Sequence, residues 1–173
     1  YIKIHAIYNT IEGHVPLIGK HNVLNVLSCI ALAIKLKIPP EEALEALSNY
    51  KGVMRRTETI YNEDKLTIID DYAHNPGKIA AVIKSLRQAY PEKDLWVLFE
   101  NHRYSRLQSM YDDIINSLKG ANRVFVSPIF AAGEPVDNNY TAQSISEDIK
   151  KCCQNNHRGF KNPVKICPKI KQC

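Results

Sequence analysis

The sequence predicts an α/β fold with a mostly parallel sheet that carries helices on both faces. The chief observation is that, beyond about residue 58, short apolar runs alternate with segments whose apolar residues recur at helical spacing. Strands that alternate with helices favour a parallel sheet joined by right-handed crossovers. The 173 residues, 45% of them hydrophobic, are enough to bury the core of one domain or of one domain and part of another.

The first part of the chain is predicted to be helical. Apolar residues recur at helical spacing over His21–Lys37, and two prolines beginning at Pro39 are expected to end that helix. A second helix is predicted over Pro40–Ser48, because acidic residues in its first turn suit the positive end of the helix dipole.

Gly52 breaks the helical pattern, so we predict two domains, 1–51 and 52–173. Strands and helices alternate in the second of them. The predicted elements are strand Thr59–Tyr61, strand Leu66–Asp70, a helix from Pro76 to Tyr90, strand Leu95–Phe99, a helix over Leu107–Leu118, strand Val124–Ser127, a helix over Ala142–Ile149 and strand Val164–Cys167. The strand Leu66–Asp70 is expected to lie parallel, in one sheet, with the next two strands.

Composition excludes several classes of function. The net charge of +5 is spread along the chain without a basic stripe or a nucleic-acid motif, so we expect no nucleic-acid partner. The longest apolar run, residues 23–36, contains polar residues and is too short to cross a bilayer. No signal-peptide pattern follows Tyr1, which we expect to be a cut or processed end.

The five cysteines favour a cytoplasmic protein with reduced thiols. Their number is odd, two are adjacent in the sequence, and Cys29 falls within the first predicted helix. The spacing of Cys152, Cys153, His157 and Cys167 matches no zinc pattern, so we expect no metal site there.

Polar clusters follow three predicted strands of the second domain. Asp71 and His74 follow the first, His102–Arg106 follows the second, and Ala132–Glu134 ends the loop after the third. Because ligands bind outside the carboxyl ends of parallel strands, we expect these loops to converge on one edge of the sheet.

The second cluster has the chemistry of an anion site. Ser105 is expected to cap the next helix, whose N-terminus would favour anions, and His102, Arg103 and Arg106 would surround it. Arginine holds carboxylate or phosphate groups through paired charge-assisted hydrogen bonds. The alternative is a solvated turn with ordinary surface arginines.

The other candidates are suited to nucleotide contacts. Asp71 could accept hydrogen bonds from ribose hydroxyls or hold a metal-bound water, and His74 could bond to a phosphate or a developing oxyanion. The alternative is that Asp71 and Asn75 only cap the turn. Asn22 is expected to cap the first helix, and the amide of Asn25 could bind an adenine edge.

Five segments, in this order, resemble motifs of the Mur ligase family, whose members build the bacterial peptidoglycan precursor. They are Gly19–Asn25 for G-x-H-N-x-x-N, Gly52–Glu58 for G-V-x-R-R-x-E, Asp70–Pro76 for D-D-Y-A-H-H-P, His102–Arg106 for H-R-Y-[ST]-R and Ala131–Glu134 for A-A-G-E. The likeness covers at least 17–134. The last two segments indicate the member that joins L-alanine to UDP-N-acetylmuramate.

The resemblance implies a Rossmann-like C-terminal domain, preceded by the helical end of a central ATPase domain. In such ligases ATP converts a substrate carboxylate into an acyl phosphate, which the incoming amine attacks. The resemblance assigns Asn25 to the adenine, Arg56 to the ATP phosphates or ribose, and Asp71 to the ribose. The side chains it places in the cleft around the muramoyl and alanine groups, where they stabilise developing charge, are Tyr72, His74, His102, Arg103 and Arg106.

The chain also departs from the family pattern. The glycine-rich phosphate loop and the magnesium ligands of the central domain are absent, so we expect the chain alone to be inactive and to bind ATP weakly. Asn75 replaces a histidine, Glu100-Asn101 replaces Gln-Pro, and the glycine turn of the usual last strand is missing. The alternatives are another ligase of the family, such as one that recycles murein peptides, or a non-catalytic nucleotide-binding remnant.

Overall fold

The computed structural model describes residues 2–5, 10–154 and 165–166. The chain divides into two compact units, Tyr1–Tyr72 and Ala73–Cys173. The elements are, in chain order, β1 (Ile2–His5), β2 (Thr10–Gly13), α1 (Lys20–Lys35), α2 (Pro40–Ser48), β3 (Glu58–Glu63), β4 (Leu66–Asp70), α3 (Pro76–Ala89), β5 (Trp96–Phe99), α4 (Tyr104–Ser117), β6 (Arg123–Val126), α5 (Ala142–Gln154) and β7 (Lys165–Ile166). The predicted domain limits, 1–51 and 52–173, stay a prediction. Within the described ranges, no helix is both long and apolar enough to cross a membrane.

The first unit has a small core formed by α1, α2 and the β1–β2 hairpin. Its buried side chains are Ile11, Val15, Val26, Ile30 and Leu44. Strands β1 and β2 pair antiparallel and were not predicted. Each has only four residues, too few to show a clear alternation of apolar and polar side chains.

Helix α1 ends before the prolines that were expected to end it. Lys37 adopts a left-handed conformation with φ 62, and the Ile38 amide donates to the Ala33 carbonyl at 2.9 Å. The Lys37 amide also donates to the Ile34 carbonyl at 3.0 Å, which completes a Schellman motif. The helix therefore stops because its last carbonyls are satisfied by this turn, two residues before the predicted end at Lys37.

The predicted position of strand β4 in the parallel sheet is wrong. Strand β4 pairs antiparallel with β3 in a two-stranded sheet, with Glu58 opposite Asp70 and Glu63 opposite Leu66. Only Asp64 and Lys65 connect the strands, and so short a connection joins neighbouring antiparallel strands. Both strands were predicted, but the sequence pattern alone does not show which strands pair.

The second unit confirms the α/β class, with a parallel sheet in the order β5-β6-β7. Trp96 lies opposite Arg123 and Phe99 opposite Val126, so the two predicted strands Leu95–Phe99 and Val124–Ser127 are parallel as expected. Strand β7 pairs parallel with β6. The ends of the predicted strand Val164–Cys167 lie outside the described residues.

Helices α3, α4 and α5 share one core with the sheet. Its buried side chains are Ile79, Ile83, Phe99, Leu107, Ile114, Ile115, Leu118, Ala121, Val124, Val126, Ile145 and Ile149. Because side chains of α4 and α5 belong to this one core, the two helices lie on the same face of the sheet. Alternation along β5 directs Trp96 and Leu98 away from Phe99, and both are about half exposed, at 54% and 52%.

Asn75, which departs from the family pattern, has a structural role: its side chain caps α3. The Lys78 amide donates to Asn75 Oδ1 at 3.0 Å, and Pro76 occupies the first helical position, as predicted. We expect Asn75→Ala to lower the free energy of unfolding by about 1 kcal/mol, measured by thermal melting.

A suitable control for the cap is Asn138→Ala, at an exposed position in the loop before α5. This substitution should leave the melting temperature almost unchanged. Equal melting temperatures of the two variants would mean that the cap contributes nothing to stability.

Candidate functional site

Asp71 fastens the loop after β4 to the segment before β3. Its Oδ2 accepts hydrogen bonds from the Thr57 amide at 2.7 Å and from the Thr57 hydroxyl at 2.9 Å. Thr57 has a positive φ of 49, a conformation that needs support from its surroundings. Asp71 is half-buried, and one oxygen of its carboxylate already accepts both of these hydrogen bonds within the chain.

The turn 53–56 carries Arg56, the predicted phosphate-binding arginine, and contacts Tyr72 through Arg55. The Tyr72 amide donates to the Arg55 carbonyl at 2.8 Å, and the Arg55 guanidinium lies 4.8 Å from the centre of the Tyr72 ring. The Arg56 side chain is exposed, and its amide donates to the Val53 carbonyl at 3.1 Å. The turn thus holds Tyr72 through Arg55 and presents Arg56 to solvent.

Asn25 lies exposed in the first turns of α1. The expected cap at Asn22 is wrong, because α1 begins at Lys20 with Gly19 as its N-cap. The Asn22 side chain donates to the Ile18 carbonyl at 2.8 Å, and its Oδ1 accepts from Nδ2 of the Asn25 side chain at 3.3 Å. Asn22 therefore orients Asn25 instead of capping the helix.

In the second unit, the loops after β5 and β6 lie side by side, as predicted. His102 and Phe130 form a parallel bridge beyond the strand ends, with their rings 5.0 Å apart. The Phe130 amide donates to the Asn101 carbonyl at 2.8 Å, and the Arg103 amide donates to the Phe130 carbonyl at 2.9 Å. These bonds fix the backbone that carries the His102 and Arg103 side chains.

His102 is held in a positively charged environment. Burial lowers its pKa, the positive charges of Arg106 and Arg103 lower the pKa further, and the carboxylate of Glu100 acts in the opposite direction. His74 is near enough for its charge to contribute to the same lowering. At neutral pH the imidazole is therefore uncharged, with one N–H donor and one acceptor.

Arg106 lies in the first turn of α4, four residues after His102. Its guanidinium Nη1 donates to the His102 carbonyl at 3.2 Å. The buried Nδ1 of His102 has no hydrogen-bond partner among the described residues. The structure thus brings His102, Arg103 and Arg106 together at the end of β5, with His74 nearby.

The predicted cap at Ser105 is wrong. Helix α4 begins at Tyr104, and its N-cap Arg103 has a positive φ of 73. Ser105 lies in the first turn, where its amide donates to Glu134 Oε2 at 2.9 Å and its hydroxyl to Oε1 at 2.7 Å. These two bonds lower the pKa of Glu134, so the anion at this helix end is a carboxylate of the chain itself.

The contact depends on the turn Ala131–Glu134. The Glu134 amide donates to the Ala131 carbonyl at 3.1 Å, and Ala132 and Gly133 have positive φ values of 52 and 86. Positive φ at both central positions defines a type I′ turn, which favours glycine. Sequence reasoning identified the motif but not this contact, because the pairing of two distant loops has no local signal.

We expect Gly133→Ala to lower the free energy of unfolding by about 1 kcal/mol, because an alanine is strained at this φ although nothing lies within 4 Å of the added carbon. The matched control is Gly77→Ala in α3, where the added carbon meets only Asn75 Oδ1 at 3.8 Å. That variant should be stabilised by about 0.5–1 kcal/mol, since alanine is the better helix former. Chemical denaturation of both variants would test the expected opposite signs.

A cavity of about 550 Å³ in the first unit lies elsewhere. It is lined by residues of β2 and α2, among them Glu12 and Glu41, and by His14, which follows β2, but by none of the predicted site residues. The predicted site residues are therefore distributed over surface turns and helix ends rather than within this cavity.

The family comparison agrees with the motifs. A family model described as the Mur ligase, glutamate ligase domain matches residues 55–173. The UDP-N-acetylmuramate–L-alanine ligase of Acidithiobacillus ferrooxidans is 42% identical over 129 residues, which cover 75% of this chain and 28% of that protein. The enzyme of the same name from Brachyspira hyodysenteriae is 39% identical over 146 residues, 84% of this chain and 31% of that protein.

Two solved structures share the fold. The UDP-N-acetylmuramate-alanine ligase of Thermotoga maritima has a TM-score of 0.70 at 24% identity, over 90% of this chain and 31% of that one. The folylpolyglutamate synthase of the same organism has a TM-score of 0.61 at 23% identity, over 92% of this chain and 34% of that one. The chain thus spans about a third of the length of each of these proteins. Because the family model covers well over half of its residues, the chain belongs to the Mur ligase family.

Proposed function

We propose that this chain is the C-terminal portion of an ATP-dependent ligase that joins L-alanine to UDP-N-acetylmuramate. The observation that carries the proposal is the cluster of His102, Arg103 and Arg106 at the end of β5, beside the loop that ends at Glu134. Both segments belong to the motifs that indicate the alanine-adding member. Relatives of 39% to 42% identity that bear the name of this activity support the same substrate.

The cluster suits the chemistry of an acyl phosphate. Formation of this intermediate and attack by the amine both place negative charge on oxygens, and two guanidinium groups can stabilise that charge. An uncharged His102 can donate one hydrogen bond without adding a proton to the reaction, and His74 lies close enough to assist. We assign His74, His102, Arg103 and Arg106 to catalysis through charge stabilisation.

Substrate contacts are assigned to Tyr72, His102, Arg103 and Arg106. Nucleotide contacts are assigned to Asn25 for the adenine, Arg56 for the phosphates or ribose, and Asp71 for the ribose. An amide, a guanidinium and a carboxylate fit these groups chemically, and the exposed side chains of Asn25 and Arg56 are accessible to a nucleotide.

Magnesium would accompany ATP and help to neutralise the phosphate charges. Among the described residues there is no cluster of three metal-binding side chains, and we place the magnesium ligands in the central domain of the complete ligase. We propose a cytoplasmic enzyme, in keeping with the cysteine usage.

The coding sequence upstream of Tyr1 provides the test. We expect it to encode, in frame, a glycine-rich phosphate loop of the form G-T-x-G-K-[ST]. The complete gene should then restore growth to a bacterium whose own alanine-adding ligase has been switched off. A complete gene that lacks the phosphate loop and fails to restore growth would refute the proposal and favour a non-catalytic remnant.

A further inference from the structure

Arg103 is held in an unusual backbone conformation between two contacts. Its φ of 73 lies in the left-handed region, which costs free energy for any residue with a β-carbon. On one side its amide donates to the Phe130 carbonyl at 2.9 Å. On the other side the first turn of α4 is bound by Glu134. A strained conformation persists only where its surroundings hold it, so the direction of Arg103 depends on both contacts.

Glu134 binds α4 through both carboxylate oxygens. One oxygen accepts from the Ser105 amide at 2.9 Å and the other from the Ser105 hydroxyl at 2.7 Å. A carboxylate with two acceptor bonds fixes the distance and the orientation of the two loops, whereas a single contact would leave rotation free. The type I′ turn at Ala132 and Gly133 directs Glu134 towards the helix.

The same contact changes where a substrate anion can bind. The N-terminus of α4 would attract an anion, but two donors of its first turn are already used by Glu134. The guanidinium groups of Arg103 and Arg106 lie nearby; neither donates to Glu134 among the described contacts, although the charge of Arg103 helps to lower the pKa of that carboxyl. A substrate anion would therefore bind to the arginine side chains, and Glu134 helps to set the direction of one of them, Arg103.

We propose that Glu134 is a positioning residue of the ligase, which holds Arg103 in its strained conformation by fastening the turn 131–134 to α4. This inference rests on the proposed function, since it concerns binding of UDP-N-acetylmuramate. The effect is geometric: two bonds in fixed directions matter, and the negative charge of Glu134 is secondary.

The test compares Glu134→Ala, Glu134→Gln and the control Glu92→Ala in the complete ligase. Glutamine can accept from the Ser105 amide and donate to the Ser105 hydroxyl, so it keeps both contacts without the charge. Glu92 is exposed, so its loss should be neutral. We expect Glu134→Ala to raise KM for UDP-N-acetylmuramate about tenfold with KM for ATP unchanged, and Glu134→Gln to stay within about threefold of the unmodified enzyme.

The possible outcomes separate the two proposals. Absence of L-alanine ligation by the unmodified enzyme would refute the proposed function. With an active enzyme, equal kinetics of Glu134→Ala and Glu92→Ala would overturn the positioning role. An equal rise of both KM values in Glu134→Ala would also overturn it, because such a rise indicates general loosening of the structure. A rise in KM for UDP-N-acetylmuramate as large in Glu134→Gln as in Glu134→Ala would overturn it too, because it would indicate that charge alone matters.

Discussion

Arg106→Ala in the complete ligase is expected to lower kcat/KM about a hundredfold. Loss of one charge-assisted contact to a substrate anion in a partly desolvated cleft costs about 2–3 kcal/mol. The fold should persist, because α4 packs through Leu107 and Ile114 and is followed by the buried Leu118, each at most 2% exposed. The pKa of His102 should rise in this variant, because Arg106 is one of the charges that lower it. Steady-state kinetics and an NMR titration of His102 would measure the two effects.

The control is Arg123→Ala. The Arg123 guanidinium lies 4.4 Å from the centre of the Trp96 ring, on β6 and at the opposite end of the strand from the cluster. Its removal should change kcat/KM by less than about twofold. If the two variants retain the same activity, the cluster at the end of β5 is an ordinary surface turn, and the main ground for choosing L-alanine as the substrate is lost.

Asp71→Ala is expected to lower the free energy that protects the Thr57 amide from hydrogen exchange by about 2–3 kcal/mol. The substitution removes two hydrogen bonds to a half-buried carboxylate, from the Thr57 amide and hydroxyl. With them goes the support for the positive φ of Thr57. In the complete ligase, KM for ATP should rise as well, since Asp71 is proposed to bind the ribose.

Asp70→Ala is a closely matched control, one residue away in the sequence. The Asp70 carboxylate pairs with the Arg55 guanidinium at 3.7 Å, and their side chains are 43% and 62% exposed. So exposed a pair contributes about 0–1 kcal/mol, and exchange of the Thr57 amide should change little. Similar exchange rates in the two variants would show that the Asp71 contacts contribute no more than this surface pair.

The parts of the fold that could be predicted from the sequence are those with strong local signals. Helices α2 and α3 begin at Pro40 and Pro76 as expected, because proline suits the first helical position. The parallel pairing of β5 and β6 follows from the helix between them. The partner of β4 was predicted wrongly, since hydrophobic periodicity describes a strand but not its neighbour. The two four-residue strands of the first hairpin carried too little pattern.

The candidate site, like the fold, was predicted only where the sequence carries a local signal. The sequence indicated that His102, Arg103 and Arg106 lie together, because they follow one strand and enter one helix. It did not reveal that Glu134 binds the start of α4, since this contact joins loops about thirty residues apart. The expected caps at Ser105 and Asn22 were wrong, because Arg103 is the N-cap of α4 and Gly19 is the N-cap of α1.

The central claim is that the complete enzyme adds L-alanine to UDP-N-acetylmuramate. The most direct measurement incubates the purified enzyme with ATP, magnesium and UDP-N-acetylmuramate, together with either L-alanine or a murein tripeptide, and identifies products by mass spectrometry. The account predicts the L-alanyl product, formed with one ADP per amide bond, and little or no tripeptide product. Efficient use of the tripeptide with no reaction of L-alanine would contradict it and indicate a peptide-recycling ligase of the same family.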